Sequence, residues 1–187
     1  MNWIVQVLEA LYGRFLLLDL VAKIVPGAFA ITSTAAVLSS WEKLSQTVQR
    51  MPWWALVLWA GAAWTVAFAL QVIGETVRAL RDLPTSKSRE DWYATLKKFN
   101  SQADDRQRQQ ADRLLVIKEA CGNTSMAVGL YVLLSLIRFS SSGFRHQRWE
   151  WSQAPALIIA AAASIVLALM HREHVKRHQL YVEGVLK

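Results

Sequence analysis

Apolar and polar positions along this chain fall into long blocks. The stretch Trp53–Gly74, WWALVLWAGAAWTVAFALQVIG, carries no charged side chain. A bilayer's hydrocarbon core is about 30 Å thick, and a helix needs roughly 20 residues to cross it. Three further runs are also free of charge: Ile24–Trp41, Ala120–Ile137 and Trp151–Met170. The pattern predicts an all-α integral membrane protein with four transmembrane helices, one domain over residues 1–187. Trp53, Trp54, Trp149 and Trp151 stand at the edges of these runs, where amphipathic rings favour the headgroup level.

The blocks between the spans predict the rest of the architecture. Met1–Lys23 is apolar but is interrupted by Glu9, Arg14, Asp19 and Lys23, which predicts a helix in or near the interface. Asp19 and Lys23 are four apart and share a helix face, so they can pair as an anchor. Pro26-Gly27 then interrupts that helix. Glu42–Pro52 and Arg138–Glu150 are short and polar and are expected to be loops. Residues 75–119 and 171–187 are expected to be helical extensions forming a cytoplasmic layer. Within the first, Ser88 is placed to cap a helix, with Asp91 three residues on. Trp92, Leu96, Phe99 and Ala103 make one apolar stripe at helical spacing, a face for a bundle or a cytosolic partner. The following SQADDRQRQQADR is polar on all sides. It is either a helix bordering a water-filled space or, over Asn100–Gln110, a disordered loop.

Composition adds orientation. The chain has 21 Lys and Arg against 14 Asp and Glu, and nine Trp. A basic excess can mark a nucleic-acid binder, but here it is distributed as membrane topology requires. Sixteen of the 21 basic residues lie before the first span, between the second and third, and after the fourth. The positive-inside rule places those segments, and both termini, in the cytoplasm of an inner-membrane protein. No direct nucleic-acid contact is expected. No removable signal peptide is expected either, because the first turns lack a basic region. The single Cys121 excludes an intrachain disulfide and a cysteine-rich zinc site.

Candidate chemistry is sparse. The third span carries Asn123, Thr124 and Ser125, uncharged polar groups that at membrane depth face protein or water. They are the candidates to border a permeation path, or else glue between helices. The sequon Asn123-Thr124-Ser125 lies inside a span and is set aside. Gly122, Ser125 and Gly129 share a face, as do Gly61, Thr65 and Ala69, and Ala160, Ser164 and Ala168. Small residues four apart permit close helix packing. His171, His174 and His178 follow the fourth span on one helix face. Arg172 and Lys176 beside them oppose a bound cation, so no metal is expected. The histidines are read instead as part of a solvated juxtamembrane face, with Arg172, Lys176 and Arg177 touching lipid phosphates. No nucleophile–base pair, phosphate loop or zinc-protease motif is present, so neither an enzyme nor a cofactor is expected.

Two features carry a resemblance. Leu11-Tyr12-Gly13-Arg14-Phe15, followed by Asp19 and Pro26-Gly27, resembles the opening of small multi-spanning membrane proteins of bacterial antiviral systems, CRISPR-accessory or abortive-infection. Arg172 and His178 are spaced Arg-x5-His, which is similar to the variable motif of HEPN ribonucleases. The resemblance implies a protein that perturbs the inner membrane when a phage is sensed. The expected function is an oligomeric pore or membrane-perturbing effector, a homo-oligomer among membrane lipids. The competing reading is a membrane scaffold that recruits a cytosolic protein through its central helices.

Overall fold

Proline has no N–H, and its ring displaces the carbonyl four residues before it. Pro26 therefore disturbs the helix around Ala22. In the computed structural model, which describes residues 20–76, 80, 88–142 and 154–187, the chain absorbs this with a π-helical turn over Leu20–Ile24 that runs into α1, Val25–Leu38. The helix is not interrupted at Pro26-Gly27, contrary to the sequence reading. The wider turn lets it continue.

Four helical segments among the described residues are long and apolar enough to cross a membrane. They are Leu20–Leu38, which combines the π turn with α1, then α3 (Trp53–Thr76), α5 (Asp105–Ser142) and α6 (Ala154–Val185). A short helix, α2 (Trp41–Gln49), follows α1, and α4 (Arg89–Gln102) precedes α5. No strand occurs among the described residues. The expected loop at Glu42–Pro52 is thus largely helix. Ser40 is extended and caps it, accepting a hydrogen bond from the Lys43 N–H at 3.2 Å. The interfacial helix expected from Met1 lies, up to residue 19, outside the described residues, as does the pairing of Asp19. The expected loop from Arg138 begins instead as the end of α5, which runs to Ser142, and the rest of Arg138–Glu150 lies outside the described residues.

Asn100–Gln110 is ordered by caps. Ser88 opens α4, accepting from the Asp91 N–H at 3.1 Å. The helix stops at Ala103. Asp104 and Gln107 then form a reciprocal capping box: the Gln107 N–H donates to Asp104 Oδ1 at 2.7 Å, and the Asp104 N–H donates to Gln107 Oε1 at 2.9 Å. From there α5 runs unbroken for 38 residues, a length of about 57 Å. Its antiparallel neighbour α6 has 32 residues, about 48 Å. Both exceed a bilayer's thickness, so each has an apolar half and a polar half.

α5 and α6 form the largest helix–helix interface, while α1 packs between α3 and α5. On α6 the seam reads Leu157, Ala161, Ser164, Ala168, His171, Val175, His178, Val182, all buried or half-buried. Those positions alternate in steps of four and three, the repeat of a coiled-coil seam. α5 answers with Ala111, Leu114, Lys118, Cys121, Ser125 and Val128 in the same repeat. α4 lies across the polar half of α6 and closes a separate hydrophobic core there.

Candidate functional site

Two places gather unusual side chains: the level where the seam turns polar, and the layer beyond it. At the first, the Asn123 amide donates to the Ala22 carbonyl at 2.7 Å, and Asn123 is 1% exposed. Pro26 has no N–H to give that carbonyl, and the Asn123 amide donates to it from across the bundle. One residue on, Lys23 reaches Glu119 of α5 with Nζ 3.9 Å from Oε2. Its ammonium also lies 4.7 Å from the Phe68 ring centroid and 5.9 Å from that of Trp64, within reach of cation–π attraction. The start of α1 is thereby tied to both α3 and α5.

Across the seam, His171 Nδ1 lies 2.9 Å from the Lys118 carbonyl. A carbonyl only accepts, so Nδ1 carries the proton. Gly122 makes room for this ring: a methyl there would come within 2.7 Å of His171 Nδ1. Two turns into the apolar half, Ser125 and Ser164 bond reciprocally. Ser125 Oγ donates to the Ser164 carbonyl at 2.8 Å, and Ser164 Oγ donates to the Ser125 carbonyl at 2.9 Å. Gly129 sits beside Ser164, and Ala160 is half-buried one turn away.

These positions change several sequence readings. Asn123 lies inside the chain's own bundle and faces no outer axis, because its partner is the carbonyl opposite Pro26. Thr124 is half-buried beside it. His171 and His178 are 3% and 8% exposed, so they are not a solvated face. They continue the buried seam that starts at Leu157. Arg172, Lys176 and Arg177 are exposed, as a headgroup contact requires. Arg172 points outward while His178 stacks edge-on against Trp92 at 5.9 Å, so the Arg-x5-His pair is not brought together.

The small-residue face of α3 also differs. Gly61 has open space around it, and Thr65 and Ala69 are exposed. The face that packs is Ala63, Ala67, Leu70 and Gly74. A methyl on Gly27 of α1 would fall on the Ala63 carbonyl, so the two backbones approach as closely as backbones can. Sequence reasoning missed Gly27, Ala63 and Ala67, although Ala63 and Ala67 are themselves four apart. It also missed Leu80, buried against Gly74 and Gly122.

In the layer beyond, Trp92, Phe99, Ala103 and Ala111 enclose Val182, with Leu96 and Tyr181 packed around them. Phe99 and Tyr181 meet edge to face at 6.5 Å. The stripe Trp92–Leu96–Phe99 thus faces α6, while Tyr93 and Leu180 are 60% and 68% exposed. No group of three metal-ligating side chains occurs among the described residues. No known protein family, curated protein or solved structure matches the chain.

Proposed function

We propose that this chain is a membrane-anchored scaffold whose polar layer presents a folded helical surface to a cytosolic protein. One observation carries the reading. The uncharged polar groups at membrane depth that bind across helices, Asn123, Ser125 and Ser164, all do so to atoms of the same chain. They hold helices together, and Asn123 is 1% exposed within the bundle. The layer above has its own aromatic core, as a rigid docking platform needs. The distribution of basic residues supports a cytoplasmic position for that layer. The test is ion flux through liposomes containing the purified protein, beside photocrosslinking in cells from Tyr93 and Leu180. The scaffold reading expects tight liposomes and crosslinks to one other protein. Leaky liposomes and crosslinks only to itself would overturn it.

A second reading keeps one observation in its favour. Gly61, Thr65 and Ala69 form an outward small-residue line on α3, with open space at Gly61. A homo-oligomeric ring closed through that line would be the membrane-perturbing effector of antiviral defence that the resemblance implies. It expects a particle several times the chain's 21.1 kDa in detergent and depolarisation of cells on expression. A monodisperse monomer removes it.

A further inference from the structure

The outward side of α6 changes character within one turn. Ile158, Ile165, Leu169 and Met170 are exposed apolar side chains, and Arg172 and Lys176 are exposed cations just beyond. Positions 165, 169, 172 and 176 step by four, three and four, so they form one line along the helix. Arg172 and Lys176 have no ion-pair partner among the described residues, whereas Arg177 is held by Glu173 at 3.1 Å.

We propose that Arg172 and Lys176 bind the headgroup phosphate of an anionic phospholipid. The apolar line below the cations fits an acyl chain, and the cations meet the phosphate where that chain ends. The guanidinium fork matches phosphate oxygens, and the long stems lie along apolar surface while their charges stay in the headgroup region. A free phosphate ion would use only the cationic half of this line. The proposal rests on the apolar helices being membrane spans, and does not depend on the scaffold reading.

The test uses the full-length protein in detergent, read by native mass spectrometry and thermal unfolding. The probes are phosphatidylglycerol, phosphatidylcholine and soluble glycerol phosphate. Two cations near a lipid surface give an expected preference of roughly thirtyfold for phosphatidylglycerol over phosphatidylcholine. The preference shrinks in high salt. The double variant Arg172→Gln/Lys176→Gln loses most of it, and Arg177→Gln keeps it. Equal binding of the two lipids, or full preference in the double variant, overturns the proposal. Binding of glycerol phosphate as tight as that of phosphatidylglycerol overturns the lipid assignment. Carbonate extraction of cell membranes separates the premise from the proposal: protein released to the soluble fraction would remove the spans themselves.

Discussion

The α5–α6 pair is held together differently in its two halves. The apolar half uses small residues and a reciprocal serine pair, with Gly129 against Ser164. The polar half uses Trp92, Phe99 and Val182. Lipid tails are as apolar as leucine, so burying a large side chain between helices gains little in a bilayer. Close backbone approach and hydrogen bonds remain as the sources of cohesion. In water the hydrophobic effect works, at about 25 cal/mol per Å² of apolar surface buried. One seam with one repeat thus changes its chemistry where the outer faces of its helices turn from apolar to polar.

The largest expected effect breaks the water-side half. Trp92→Ala removes a side chain that is 7% exposed, from against His178 and Val182. It should cost about 3–5 kcal/mol. Hydrogen exchange should rise across α4 and the end of α6 while the apolar half stays protected. Uniform loss of protection would mean that the halves are not separable. Gly27→Val acts on the other half and drives a side chain into the Ala63 carbonyl. Overpacking of this kind costs about 1–3 kcal/mol, and occasionally more. Unfolding in sodium dodecyl sulfate checks it, and an unchanged midpoint would contradict the close approach of α1 and α3.

Asn123→Leu should cost about 1–2 kcal/mol, because it leaves the Ala22 carbonyl without its cross-helix donor. The comparison sharpens in a Pro26→Ala background. There the helix has its own N–H for Ala22, so the same substitution should cost less. An equal cost in both backgrounds would show that Asn123 acts by packing alone. The smallest effect is at Gly61, where no atom lies within 4 Å of an added methyl. Gly61→Leu should leave monomer stability within about 0.5 kcal/mol. If it shrinks the detergent particle, the outward line on α3 is an interface between copies.

The four long helices were legible because charge is absent from long runs, a signal that needs no tertiary information. The packing was not. A helix rich in Gly, Ala and Thr contains several small-residue lines four apart. Only the partner, Gly27, decides that Ala63 and Ala67 face inward and Gly61 outward. Pro26 and Asn123 were each visible, but their meeting is a fact of the fold. The histidines were legible in principle: Leu157, Ala161, Ser164 and Ala168 set a four-three repeat that His171 and His178 continue. Counting the charges around them hid it. α2 was missed for a similar reason. Its polarity was weighed, and the Ser40 cap at its start was not.

The bond from Asn123 to Ala22 spans 101 residues of chain, and this orders events during synthesis. At about 5–20 residues per second, Asn123 is made roughly 5–20 s after Ala22. Throughout that interval the first span lacks this donor, and Glu119 has not yet been made to meet Lys23. The first long helix can form early, but its beginning settles only when the third arrives. A ribosome stalled before residue 119 should therefore hold a first helix whose early turns exchange their amides freely. One stalled well past Asn123 should hold a first helix whose early turns are protected.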